Sequence, residues 1–568
     1  PKQLHKIYQL VEVTVRLNKR IRNEFINDEE KLRTLKEQLH FVESGILAAI
    51  YLGKEGYKNN AFELAEQNKS ILLLEAMKSK NPRVLEVLSD SILMQESILQ
   101  QKLYKTKVEL YSARNQEMKF AAEKEFAQVN TDIEVFLKMI KQKYPRYYTL
   151  KYNNETISVK EIQQTLDRET LLVEYLQTDE GVFCFAISKD SLQLLSLDVT
   201  VDSLRYYVQQ FRKSLSDFMF ILQLKEQAYY QYTNSAIWLY KKILDPVLSG
   251  KEIKNIIIIP DGMLGVIPFE VFLNKNIDTN EQDYTKLPYL IKDYTITYDY
   301  SATLWKNKQN QVVGLGGNGL LACGANYQIR DSLVLSKRLP DEIAIRNNLL
   351  PLTSVEQEIK RLEELFEGEF VYGDMSNESF FKKEAVKFDV IHLATHSVIN
   401  PWTPILSSLV FTENGDSLNN NLLQAYEITQ LKINANLVVL SGCETGYGRF
   451  EQGEGIMSLA RAFMYAGVPS LVISLWKVDD RSTADLMIPF YEYLKQGKNK
   501  SLALKLAKLN YLENAKNKRK HPAFWSAFIH LGNDKPIQLK RKSGNLLEYS
   551  YWLGLLVLFI LGSYYWLK

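Results

Sequence analysis

The chain has 568 residues, 46% hydrophobic and 24% charged, the composition of an ordinary folded protein and too apolar for a disordered one. Its formal net charge of +3 is too small to argue for nucleic acid, and no such partner is expected. Three cysteines, Cys184, Cys323 and Cys443, supply neither a disulfide framework nor a zinc cluster. They fit a reducing compartment, and no metal or other cofactor is expected.

At this length more than one domain is expected. The first residue is Pro1 rather than Met, so the chain is expected to begin inside a longer protein, and a signal peptide cannot be judged from it.

Residues 1–145 read as helix almost throughout. Leu32, Leu35, Leu39, Val42 and Ile46 recur at three- and four-residue spacing, and Pro82 is the only proline between Pro1 and Pro145. Residues 61–77 (AFELAEQNKSILLLEAM) have the pattern of the second helix of a helical-repeat unit, although no 34-residue period can be counted. Residues 1–80 are expected to be the end of a TPR-type repeat array. Residues 81–145, charged and free of glycine, are expected to form two long helices packed on each other, as a short antiparallel coiled coil, or a plain helical linker.

At Pro145 the pattern changes. Residues 171–175 and 182–187 have strand character around an Asp179-Glu180-Gly181 turn. A helical stretch runs from about Val201 to Leu248, and Asn255–Ile259 reads as a fully buried strand closed by Pro260-Asp261-Gly262. More strand follows at Tyr294–Tyr298. Residues 146–310 thus form an α/β unit without a single histidine, in which Cys184 is a small core residue.

Residues 311–535 form a second α/β unit. Strands are expected at 320–325, 369–372, 388–394, 409–412, 437–441 and 470–475. Helices are expected at 355–365, 454–465, 482–494 and 500–513. Such alternation argues for a mostly parallel sheet covered on both faces. The GxGxxG spelling at 314–319 precedes a strand instead of following one, so it is read as a flexible connection and not as a nucleotide site.

Two apolar runs in this unit stop at residues able to do chemistry: Ile391-His392-Leu393-Ala394-Thr395-His396 and Leu437-Val438-Val439-Leu440-Ser441-Gly442-Cys443-Glu444-Thr445-Gly446. Catalytic groups collect past the carboxyl ends of parallel strands. Neighbouring strands would bring the imidazole of His396 and the thiol of Cys443 to one rim, the minimum apparatus for a cysteine nucleophile and its base. His392 lies within the strand and suits a bland, hydrogen-bonded role. It is four residues from His396, a spacing that shares a strand face. The turn-forming residues around Cys443 argue against inert packing. The backbone N–H groups of Cys443 and Ser397 are candidate oxyanion donors.

The 47-residue spacing (443 − 396) is similar to the caspase-like arrangement, but the flanks of the cysteine are not those of animal caspases. They resemble the CHAT group, caspase-like domains common downstream of TPR repeats in bacteria. The residues that carry the resemblance include Ile391–His396, Pro404, Ser407-Ser408-Leu409, Leu440–Gly446 and Gly453-Glu454-Gly455. Ala466–Ser470, Ser474-Leu475-Trp476 and His521–Trp525 continue it, so that it covers roughly residues 150–535.

This resemblance implies a clan of cysteine peptidases shared with caspases and separase, with 146–310 as a degenerate caspase-like half and 311–535 as the catalytic half. It assigns His396 as general base and Cys443 as nucleophile. In separase-like relatives an acidic residue near Asp480 receives a basic P1 side chain, although Lys477 departs from the acidic residue found there. Asp479 and Asp480 suit equally well the capping of the helix that starts near Ser482, and Glu444 is a further pocket candidate.

The expected function is a regulated endopeptidase cutting a protein substrate, after Arg or Lys, with a regulatory protein partner on its N-terminal helices. The alternative is a catalytically silent TPR-CHAT adaptor; an esterase or acyl transferase on the same dyad is a weaker third reading. Finally, residues 549–567 (YSYWLGLLVLFILGSYYWL) carry no charge, have aromatic residues near both ends, and follow a basic 536–548 linker containing Lys540-Arg541-Lys542. They are expected to be a transmembrane helix anchoring the chain to a membrane, with the catalytic part in the cytoplasm.

Overall fold

The computed structural model describes residues 2–25, 28–80, 86–152, 155–277, 282–309, 311, 318–327, 349–414, 419–442 and 444–540. The N-terminal part is helical. Lys2–Glu24 packs against Asp28–Leu52, followed by Glu55–Glu66 and Ile71–Ser79. Of the periodic residues, Leu35, Leu39, Val42 and Ile46 are buried as their spacing requires. Gly45 lets the first two helices cross closely, since a Cβ there would meet Val11 at 2.9 Å. The long helices Asp90–Ser112 and Gln116–Lys143 pack on each other, the second capped by Asn115, whose side chain accepts from Met118 N at 2.8 Å.

Sixteen strands lie among the described residues. The first eight are β1 (Thr170–Gln177), β2 (Val182–Ile187), β3 (Leu192–Ser196), β4 (Asn255–Ile259), β5 (Thr295–Tyr298), β6 (Leu320–Gly324), β7 (Gly368–Tyr372) and β8 (Val390–Ala394). Then come β9 (His396–Val398), β10 (Ser408–Val410), β11 (Leu422–Gln424), β12 (Leu437–Leu440), β13 (Arg449–Glu451), β14 (Gly455–Met457), β15 (Ser470–Ser474) and β16 (Phe528–Gly532). Eleven of them form one sheet in the order β3-β2-β1-β4-β5-β16-β15-β12-β8-β6-β7. Pairing is parallel except at β1–β2, β2–β3 and β15–β16. The last strand among the described residues, β16, sits between β5 and β15, so the two α/β segments share one continuous sheet.

Successive strand residues face opposite sides, and the two sides have different covers. Leu171, Val173 and Tyr175 of β1 join the core beneath the Val201–Ser216 and Lys225–Leu239 helices. Leu172 and Leu176 join a second core completed by Tyr8, Val11, Val42, Phe62 and Ala65 of the N-terminal helices. The helices from Lys2 to Glu66 therefore cover one sheet face, whereas the two long helices after them contribute to a separate small core around Phe136, Ile140 and Tyr147. The chain just past Glu66 is also hydrogen-bonded in place. Ser70 N donates to Gly453 O at 2.6 Å and Leu72 N to Glu454 Oε1 at 2.8 Å.

One expectation is corrected. Among the described residues no helix is long and apolar enough to cross a membrane. The longest, Gln116–Lys143, is studded with Glu and Lys along its whole length. The 549–567 segment lies outside the described residues. The fold is an α/β sheet protein with N-terminal helices and no described membrane-spanning helix, and a single-pass membrane anchor has no support in it.

Candidate active site

β8 and β12 are adjacent and parallel, paired Leu437↔Val390 through Leu440↔Leu393. Ser441 N continues the ladder by donating to Leu393 O at 2.9 Å. The offset of this register, 440 − 393 = 47, equals the spacing of His396 and Cys443. Both strands thus end at the same rim. Gly442 lies there against Thr395: a Cβ on residue 442 would fall 2.2 Å from the Thr395 carbonyl oxygen. Cys443 itself lies outside the described residues.

His396 does not continue β8. The chain bends at Thr395, and His396 opens β9, part of a small antiparallel sheet with β10 and β11 in which it pairs with Val410. It therefore does not share a strand face with His392. Its backbone N–H donates to the Tyr327 hydroxyl at 2.8 Å, which in turn donates to Val410 O at 2.6 Å. The Tyr327 ring lies 4.7 Å from the imidazole, centroid to centroid. Nε2 stands 2.7 Å from Leu350 O and donates to it in the tautomer that protonates Nε2. Burial lowers the His396 pKa below the ordinary histidine value. The Leu350 carbonyl and Asp480 oppose the shift and Lys477 adds to it. Ser397, the other candidate for the rim, is half-buried in β9 opposite Leu409.

A small cavity of about 20 Å³ opens beside the imidazole, lined among others by His396, Gly442, Ser441, Glu358, Asp480 and Leu352. The two neighbouring aspartates part company here. Asp479 is the N-cap of the Asp480–Lys495 helix, its Oδ2 accepting from Ser482 N at 3.0 Å and pairing with Arg519 at 3.3 Å. Asp480 faces the cavity and accepts from Ser354 N at 2.6 Å, which ties down the start of the Val355–Leu365 helix. Burial raises the Asp480 pKa, and nearby Glu358 adds to the shift. Glu444 is not among the residues lining this cavity. It stands in the left-handed region (φ 57°) and acts electrostatically on Arg212, whose guanidinium stacks 4.4 Å from the Tyr447 ring.

The sequence pattern did not single out Glu358. Its helix buries Val355, Ile359 and Leu362, and Glu358 falls on that same apolar face, fully buried. A charge inside an apolar stripe was the available signal. Glu358 Oε1 accepts from Ser441 Oγ at 3.1 Å, while its Oε2 has no hydrogen-bond partner among the described residues. His392 Nε2 stands 3.1 Å from the same carboxylate, an ion-pair distance without hydrogen-bond alignment. Its Nδ1 meets the Tyr491 hydroxyl at 3.2 Å. His392 is thus wholly interior, as its place within the strand implied.

The mostly parallel sheet, with an imidazole just past the carboxyl end of β8, defines an α/β protein with a candidate site at one rim of its sheet. The chain belongs to the CHAT domain family, whose sequence profile matches residues 233–533, more than half of its length. It is similar to tetratricopeptide repeat protein 28 of Mus musculus, 24% identical over 239 residues, covering 36% of this chain and 9% of that protein. The Homo sapiens protein of the same name is 24% identical over 234 residues with the same coverages. The chain therefore spans about a tenth of these relatives' length. Among solved structures it is similar to the Saccharomyces cerevisiae separase–securin complex, with a TM-score of 0.42 and 10% identity, covering 93% of this chain and 40% of that one. It is also similar to the complex of Porphyromonas gingivalis RgpB pro- and mature domains, with a TM-score of 0.33 and 10% identity over 60% of this chain and 78% of that one. Neither likeness assigns a reaction to this chain.

Proposed function

We propose that this protein is a cysteine endopeptidase with Cys443 as nucleophile and His396 as general base. The observation that carries the reading is the β8–β12 register, whose offset matches the spacing of the two residues and brings Gly442 against Thr395. Chemically, His396 in its neutral form takes the thiol proton, and the Cys443 sulfur forms a bond to the peptide carbonyl carbon. The oxyanion is received by backbone N–H groups at 443 and 397. The imidazolium returns its proton to the departing amine, and the thioester is then hydrolysed by water. The lowered His396 pKa supports this, because the base must be unprotonated near neutrality. Asp480 is the residue we assign to a basic P1 side chain, since it lines the cavity and Asp479 does not. The N-terminal helices are the proposed seat of a regulatory protein partner.

A specific observation also favours a catalytically silent adaptor. The cavity beside His396 is small, and Nε2 faces the chain's own Leu350 carbonyl. Incubating the full chain with a peptide mixture rich in Arg and Lys separates the two. Products ending in Arg or Lys from the wild type, and none from Cys443→Ala, are expected of the peptidase. No product from the wild type, with or without helix-binding partners, would leave the adaptor.

A further inference from the structure

The turn that carries residue 443 is gripped from two sides. On one side Gly442 abuts the carbonyl of Thr395, the residue before His396. On the other stands Ser474, the last residue of β15, which has no exposed surface. Its hydroxyl donates to Gly442 O at 2.6 Å. Its backbone N–H donates to Thr445 Oγ1 at 3.1 Å, and its carbonyl accepts from Gly446 N at 2.8 Å. A longer contact of 3.4 Å joins Thr445 N to Ser474 Oγ. Ser474 thus holds the chain immediately before residue 443 and again two and three residues after it.

A turn that places Glu444 at φ 57° needs such restraint, because left-handed backbone is disfavoured for a residue with a Cβ. Adjacent strands β12 and β15 are parallel, with Val439 opposite Val472. The anchor is therefore rigid sheet rather than loop. Among the described residues it is the Ser474 hydroxyl that reaches across to the Gly442 carbonyl, on a residue buried at the strand's end.

We infer that Ser474 is a positioning residue: it sets the Gly442–Gly446 turn so that the thiol at 443 meets the imidazole of His396. The inference rests on the dyad proposed above. Ser474 touches no reacting atom; it acts through the turn. Its loss lets the turn relax, the thiolate–imidazolium pair formed when His396 takes the thiol proton is weakened, and the thiolate fraction near neutrality falls.

The test is the pH dependence of Cys443 alkylation by iodoacetamide in the full chain, read by mass spectrometry of the peptide containing residue 443. Cys184 and Cys323 are buried, and burial pushes both thiols up, so their protection reports an intact fold in the same experiment. The wild type should react with a midpoint below the free-cysteine value of about 8.5. Ser474→Ala should raise the midpoint by about one unit, a roughly tenfold slower reaction at pH 7, and Ser474→Thr, which keeps the hydroxyl, should restore it. A folded Ser474→Ala protein with an unchanged profile overturns the inference. Should Ser474→Ala expose Cys184 and Cys323, the pair Thr445→Val and Thr445→Ser gives the same reading from the other side of the grip. His396→Ala separates the two levels. If it leaves the profile unchanged, the dyad itself fails; if it shifts the profile and Ser474→Ala does not, only the positioning role fails.

Discussion

Gly442 and Thr395 touch so closely that any side chain at 442 would overlap the Thr395 carbonyl oxygen, at 2.2 Å from a Cβ. Backbone cannot swing away as a flexible side chain would. The contact locks the end of β12 to the end of β8, one residue before His396.

Gly442→Ala should therefore abolish the peptidase activity proposed above, by at least about 100-fold in kcat/KM, since a displacement of about 1 Å at a reacting centre costs that much. Gly181→Ala is the control, because nothing lies within 4 Å of a Cβ there. Equal activities of the two variants on a peptide substrate would sink the idea that this contact sets the site.

The aspartate pair offers a second test. Asp479→Ala removes a helix cap and should cost about 1 kcal/mol in urea unfolding, with peptide preference unaltered. Asp480→Asn keeps an acceptor for Ser354 N but removes the charge facing the cavity. It should erase discrimination between Arg and norleucine at P1, measured on matched peptides.

The buried pair of Glu454 and Arg461 joins the β13–β14 hairpin to the helix that follows it, and Glu454 also accepts from Leu72 N. Glu454→Ala would leave a guanidinium unpaired in the interior. Its expected cost is about 3–5 kcal/mol, read from chemical denaturation of the full chain.

Histidines predict the acid limb of stability. His521 is buried, its Nδ1 accepts from Ala523 N at 3.0 Å, and burial lowers its pKa to about 3 from 6.5. The folded state therefore prefers the neutral ring. The stabilisation is fully present above pH 6.5 and is lost as pH falls towards 3, with a ceiling of about 5 kcal/mol. His521→Asn keeps a capping acceptor and cannot titrate, so its unfolding midpoint should fall less steeply over this window. Parallel curves for the two proteins would refute the assignment.

Much of this was legible in the sequence for a physical reason. β4, β8 and β12 are covered on both faces, so each reads as a nearly continuous apolar run, interrupted in β8 only by His392, and their expected positions agree with the strands observed to within two residues. Residues 454–465 carry helical spacing throughout, although 455–457 form β14 of a hairpin. Gly453 and Gly455, at φ 82° and 86°, break that reading, and the helix begins only at Leu459. β16 carries no strand signal in the sequence. Five residues enclosed by antiparallel and parallel neighbours leave no period to count. Composition could not separate Asp479 from Asp480. Only the direction in which the helix begins decides which carboxylate turns back to cap it.

Because the N-terminal helices roof one side of the sheet, they cannot be treated as a detachable sensor. A chain trimmed to begin near residue 155 would leave Leu172, Phe183, Phe185 and Ile257 facing water, a greasy slab prone to aggregate. Whatever those helices recognise, they answer as masonry of the same building that houses the imidazole.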